Sequence, residues 1–159
     1  MKELSGTASV PVAASHARCL QLLRAVDGYP LWFGEVVREV TVLERDAGGE
    51  PSVVRAMLRV QVGPFAQDVH VLLRVVVDTD EVVLTRIPHE SDDPEELLVR
   101  WEISEGVVGI QLAARLDVPK LLPLGDVGDG LAERFVQAAA EAVGADAPGS
   151  SPNASASSS

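Results

Sequence analysis

The chain has 159 residues, 47% hydrophobic and 23% charged, which suits one globular domain and leaves no room for two. A formal net charge of −11 excludes the basic face that nucleic acids and anionic membranes require. No apolar run approaches the roughly 20 residues of a membrane span, and the single cysteine, Cys19, cannot form an internal disulfide or a thiolate zinc site.

Residues 3–10 alternate, with Leu4, Gly6, Ala8 and Val10 against Ser5, Thr7 and Ser9, which is a strand at period two that Pro11 ends. The same polar interruptions deny this stretch the continuous apolar core of an export signal. The chain therefore reads as cytoplasmic, and Asn153-Ala154-Ser155 as a chance sequon. Ser15 is placed to cap a helix running to about residue 26, with Cys19, Leu20, Leu22, Leu23 and Val26 as its apolar positions. Asp27-Gly28 stops it. Residues 29–33 then hold three of the six aromatic side chains, and Pro30 suits the first turn of a short second helix.

Six strands follow. Residues 36–45 set Val36, Val40 and Val42 against Glu39 and Thr41, and Asp46-Ala47-Gly48-Gly49 is a hairpin turn. Residues 53–62 alternate most clearly, with Val54, Ala56, Leu58, Val60 and Val62 on one face. Gly63-Pro64 turns the chain into Val69, Val71, Leu73, Val75 and Val77, opposed by Asp68, His70 and Arg74. Residues 81–87 form a strand of two readings: Val83, Thr85 and Ile87 face the core, or Val82, Leu84 and Arg86 do. In the second reading Arg86 is a buried cation that needs a carboxylate partner or an anionic ligand group. After an acidic loop over 88–94, Leu97, Val99, Trp101 and Ile103 share a face, as do Val108, Ile110, Leu112, Ala114 and Leu116 beyond Glu105-Gly106. A loop over 119–125 leads to a helix of about 126–143, capped by Asp126 or Asp129, whose stripe is Val127, Leu131, Phe135, Ala138 and Ala142. From residue 145 the chain contains no large apolar side chain, so the folded domain is expected over 1–144 and a disordered Ser-rich tail over 145–159.

Hairpin-length turns imply an antiparallel meander with one aliphatic face, and the last helix is the element long enough to cover it. The expected class is α+β. This order, with Val10-Pro11-Val12-Ala13-Ala14 before the first helix, Tyr29-Pro30-Leu31-Trp32-Phe33, the strand over 36–44 and a last helix carrying Leu131 and Phe135, resembles the START-like superfamily. The similarity runs over about residues 3–143 and is greatest to the polyketide cyclase/dehydrase and coenzyme Q-binding branch. The resemblance implies the helix-grip fold: a curved antiparallel sheet wrapped around a long C-terminal helix, with an elongated apolar cavity between them.

The lining candidates for that cavity are Trp32 with Val54, Ala56, Leu58, Val60, Val71 and Leu73, then Val99, Trp101, Ile110, Leu112 and Ala114, and on the helix Leu131 and Phe135. Thr85, Arg86 and His89 are candidates for a polar wall or mouth. Cyclisation chemistry needs a general acid or base and donors that hold an enolate oxygen. The inward faces of the four best-alternating strands contain no His, Asp, Glu, Lys or Tyr. Binding of a small apolar ligand such as a polyketide, isoprenoid or lipid-like compound is therefore the first reading. A polyketide cyclase or dehydratase is the alternative, and a protein-interaction module is a third class. His16, His70 and His89 share no metal-ligand spacing, and Gly125 and Gly128 are not followed by a Walker lysine, so neither metal nor cofactor is expected.

Overall fold

The computed structural model describes residues 2–62, 64–89, 95–116 and 127–146. The alternating segments become β1 (Lys2–Pro11), β2 (Val37–Arg45), β3 (Pro51–Val62), β4 (Phe65–Val77), β5 (Glu81–Arg86), β6 (Glu96–Ser104) and β7 (Val107–Leu116). The helices are α1 (His16–Arg24), the one-turn α2 (Tyr29–Trp32) and α3 (Val127–Asp146), with a 3-10 turn over Val26–Gly28 between the first two. The strands form one curved antiparallel sheet in the order β1-β7-β6-β5-β4-β3-β2. β2 to β7 are the expected meander, and β1 adds to β7, from Lys2 opposite Leu116 to Pro11 opposite Val107. This is the helix-grip α+β architecture.

Local chemistry accounts for the joints. The Ser15 side chain accepts from Arg18 N at 3.2 Å and caps α1, which buries Cys19 and Leu23. In the β2–β3 hairpin, Asp46 Oδ1 accepts from the backbone of Gly48 and Glu50, while Gly49 takes a positive φ that other residues resist. A register shift between Val37 and Glu39 turns both Val37 and Val40 inward, which simple alternation from Val36 does not anticipate.

β5 adopts the second of its two readings. Val82 and Leu84 are buried and Thr85 is exposed, so Arg86 shares the inner face. The stripe of α3 is also rotated from the expected one. Ala132, Phe135, Val136, Ala139 and Val143 are buried, with Leu131 and Ala138 at the margin. The cause lies on β1, where Gly128 meets Ser5 and Gly6 backbone to backbone and draws the small-residue edge of the helix inward. Asp129 does not cap α3; its carboxylate accepts from Thr7 N on the edge strand β1 at 3.2 Å. Asp126, the loop over 119–125, residues 90–94 of the acidic loop and the tail from 147 lie outside the described residues. The helix itself continues through Gly144 to Asp146. No helix is long and apolar enough to cross a membrane among the described residues.

Candidate functional site

Between the sheet and α3 lies an apolar pocket of about 80 Å³. Its sheet wall comes from successive inward positions: Ala56 and Leu58 of β3, Leu73 of β4, Leu84 of β5, Leu97 and Val99 of β6, and Leu112 of β7. Leu4 of β1, Leu131 and Phe135 of α3, and Val26, Tyr29, Val36, Val37 and Val40 complete the lining. Seven of the sequence candidates thus bound it: Ala56, Leu58, Leu73, Val99, Leu112, Leu131 and Phe135. Val54, Val71, Trp101 and Ile110 are buried in the surrounding core, away from the pocket. Val60 stands on β3 opposite Gln67, and its side chain lies outside the described residues.

Trp32 is half-buried and belongs to an aromatic cluster rather than to the pocket wall. Five of the six aromatic residues meet around Phe135. Phe33 stacks on it at 4.4 Å between ring centroids, and Trp101 meets it edge-on at 4.9 Å. Trp32 and Tyr29 approach at 5.8 and 5.9 Å. Such offset and edge contacts add to the apolar burial and hold Phe135 against the pocket.

Tyr29 is the one ionisable side chain among the described pocket residues. Its hydroxyl donates to the Leu23 carbonyl at 2.6 Å, which turns the polar end out of the void and leaves only the ring as wall. Burial pushes this hydroxyl far above the usual tyrosine range. The nearby Trp101 indole N–H has no hydrogen-bond partner among the described residues.

A larger open groove of about 860 Å³ lies at one end of the sheet. Leu4 and Leu97 line both it and the apolar pocket, so the two spaces share a wall. Ala114, a sequence candidate, lies in this groove, as do Thr85 and Arg86. Thr85 is exposed and faces outward, opposite Arg74 and Leu98. Arg86 faces inward beside Leu73, its side chain 11% exposed. Its Nη1 donates to the Glu95 carbonyl at 2.8 Å, and Nη2 lies 3.9 Å from Glu95 Oε1. The other rim charges are Glu3, Glu96 and Arg115, of which Arg115 pairs with Glu3 at 3.0 Å.

His89 is exposed beyond Pro88 and is not among the residues bounding either space. His70 points outward from β4 opposite Met57. His16 is exposed and sits 2.8 Å from Asp80, at the mouth of a separate open groove at the other end of the sheet. Among the described residues, no three His, Cys, Asp or Glu side chains stand together as a metal site.

Sequence reasoning does not number Leu4, Val26, Tyr29, Val36, Val37, Val40, Leu84 or Leu97 among the lining residues. Leu4 and Leu97 were on the correct faces, but nothing in one strand tells which end of it meets the void. Tyr29 enters from a helix, where strand alternation gives no signal.

No protein-family model matches the chain, and no curated protein matches it. Solved structures do. A START superfamily protein from Mycobacterium smegmatis superposes with a TM-score of 0.55 at 19% identity, over 89% of this chain and 93% of the other. The major latex-like protein 151 of Panax ginseng gives a TM-score of 0.58 at 11% identity, over 92% and 99%. The di-domain ARO/CYC protein StfQ of the steffimycin biosynthetic pathway gives 0.54 at 15% identity, over 88% of this chain and 52% of that one. At these identities the likeness is one of fold, and the fold is the START-like helix grip.

Proposed function

We propose that this chain binds a small apolar molecule between the sheet and α3, as a carrier or sequestering protein rather than as a catalyst. The observation that carries this reading is an apolar pocket under α3, walled off from an open groove by the side chains of Leu4 and Leu97, which alone among the described residues line both. The pocket alone is smaller than the roughly 150 Å³ that admits a benzene ring. The groove adds the space that a ligand of ordinary size needs. A ligand that uses both spaces therefore has to displace the Leu4 and Leu97 side chains that stand between them.

The pocket wall supports binding over cyclisation. Its one ionisable group, the Tyr29 hydroxyl, is committed to the Leu23 carbonyl and held protonated by burial. An enolising catalyst needs an acid or base directed at the substrate. The likeness to StfQ keeps a polyketide among the candidate ligands without assigning a reaction.

Native mass spectrometry of the purified protein, together with titration of the neutral fluorophore N-phenyl-1-naphthylamine, tests the reading. One-to-one binding of the probe, or a co-purified apolar compound, is expected. A protein that carries nothing and leaves probe emission unchanged sinks it. A purified poly-β-ketone that changes mass on incubation moves the assignment to the cyclase class.

A further inference from the structure

We infer that Leu97, Ala114 and Leu4 form a doorway through which a flexible apolar chain threads from the groove into the pocket, with the two leucines as its leaves and Ala114 as the residue that keeps it passable. The inference rests on the apolar-ligand reading above and narrows the ligand to a chain, alkyl or isoprenoid, long enough to occupy both spaces.

The three residues form one row across the sheet. Leu97 of β6 stands opposite Ala114 of β7, and Ala114 stands opposite Leu4 of β1. At the next inward positions of the same strands, Val99 faces Leu112 and Leu112 faces Gly6. Val99 and Leu112 are pocket wall. Ala114 lines the groove but not the pocket, while Leu4 and Leu97 line both. The row is therefore the boundary between the two spaces, and its middle member is its smallest.

That boundary is built to move. Val99 and Leu112 are buried, whereas Leu4 and Leu97 are half-buried near the first residues of their strands. A partly exposed leucine changes between staggered rotamers quickly, because few neighbours hold it. Turning the leaves aside clears a lane over the Ala114 methyl group. Neighbouring strands lie about 4.8 Å apart, so the lane is one strand wide and admits a single extended chain. A larger side chain at position 114 would fill it. Beyond the row the rim carries Glu3, Glu96 and Arg115, all exposed, so a polar end of the ligand stays there in water.

Stopped-flow mixing with N-phenyl-1-naphthylamine, whose phenyl end is narrow enough to lead, tests the doorway. Leu4→Ala or Leu97→Ala should raise the association and dissociation rate constants together, by about tenfold, with Kd moving less than about threefold. Ala114→Leu should lower both rate constants by a similar factor. Leu4 lies outside the buried core cluster, so Leu4→Ala keeps the test open if either of the other variants does not fold. A change in dissociation alone marks a wall contact, and unchanged rates place the entrance elsewhere; either result overturns the doorway. Calorimetry with hexan-1-ol, octan-1-ol and decan-1-ol tests the chain. Affinity should climb about threefold or more for each added methylene, and Ala114→Leu should stop the climb. Wild-type affinities that level off at hexan-1-ol, or a climb that continues in Ala114→Leu, overturn the threading and leave the apolar-ligand reading standing. If neither the fluorophore nor any of the alcohols binds, both fall.

Discussion

Gly6 of β1 and Gly128 of α3 meet backbone to backbone, with no space for a Cβ on either. This contact sets how closely the long helix lies on the edge strand. It fixes the rotation that presents Phe135 and Leu131 to the pocket, and the pocket's width therefore depends on two residues that have no side chain.

Gly6→Ala or Gly128→Ala should destabilise the protein by at least about 1–3 kcal/mol, because a methyl group there has to push the helix off the strand. Gly130 supplies the contrast. It lies in α3 with open space where its Cβ would be. Gly130→Ala should raise stability by about 0.5–1 kcal/mol through helix propensity alone. Urea unfolding of the three variants checks the assignment, and equal tolerance of all three would contradict the close approach.

Tyr29 is the only tyrosine in the chain, so absorbance at 295 nm reports its ionisation alone. Its pKa is raised in the folded state by burial, with its hydroxyl donating to Leu23. The protonated form is the one the fold stabilises. That contribution is complete below the unfolded value of about 10 and is lost as pH rises toward the higher folded value. Ionisation should therefore coincide with alkaline unfolding followed by circular dichroism. Tyr29→Phe should cost about 1–3 kcal/mol, since the Leu23 carbonyl loses its donor in a buried setting. A tyrosine that titrates near pH 10 in the folded protein would show that its hydroxyl reaches water.

On the outer face the signs reverse. Arg59 Nε lies 3.0 Å from Asp68 Oδ1 across β3 and β4, and this hydrogen bond holds the Asp68 carboxyl below its usual range. The folded state binds that proton less readily than the unfolded chain does. The pair thus adds stability above about pH 4 and loses it as pH falls through the lowered value. Both groups are exposed, so the contribution should be small and screened by salt. An NMR titration should find Asp68 below the other exposed carboxylates, and Arg59→Gln should return it to their range. An unchanged Asp68 in that variant would mean that the pair does not persist in solution.

How much of this was legible in the sequence depends on the residue. Period-two alternation places Ala56, Leu73, Val99 and Leu112 on the inner face correctly, because each has a charged or polar residue on one side (Arg55, Arg74, Arg100 and Gln111) that cannot be buried unpaired. It could not separate Leu73, which bounds the pocket, from Val54, its neighbour across the ladder, because that distinction depends on where α3 lies. The β5 segment was ambiguous since Val82-Val83-Leu84 is apolar in both phases. The phase is decided by pairing with β4, where Arg86 falls opposite Leu73. The rotation of α3 was hidden for a different reason. Helical periodicity favours the larger Leu131 as the centre of the stripe, whereas the glycine contact with β1 turns Ala132 and Val136 inward instead.

Ala56 tests whether the pocket is a true void. It is buried in β3 between Val40 and Val71 in the ladder, and its methyl group bounds the space. Ala56→Leu adds about three carbon atoms. In a void they fill unoccupied space, gain dispersion contacts and should raise stability by about 0.5–2 kcal/mol. In a close-packed core the same atoms force neighbours off their rotamers and cost about 1–3 kcal/mol. Ala139 is the matched control, since it is equally buried on α3 but does not bound the pocket. Ala139→Leu should destabilise by the close-packed amount. The expected pattern is an Ala56→Leu protein that melts higher than the wild type and no longer binds N-phenyl-1-naphthylamine. If Ala56→Leu is destabilised as much as Ala139→Leu, the space between sheet and helix is already filled, and an apolar ligand could enter only by displacing the core.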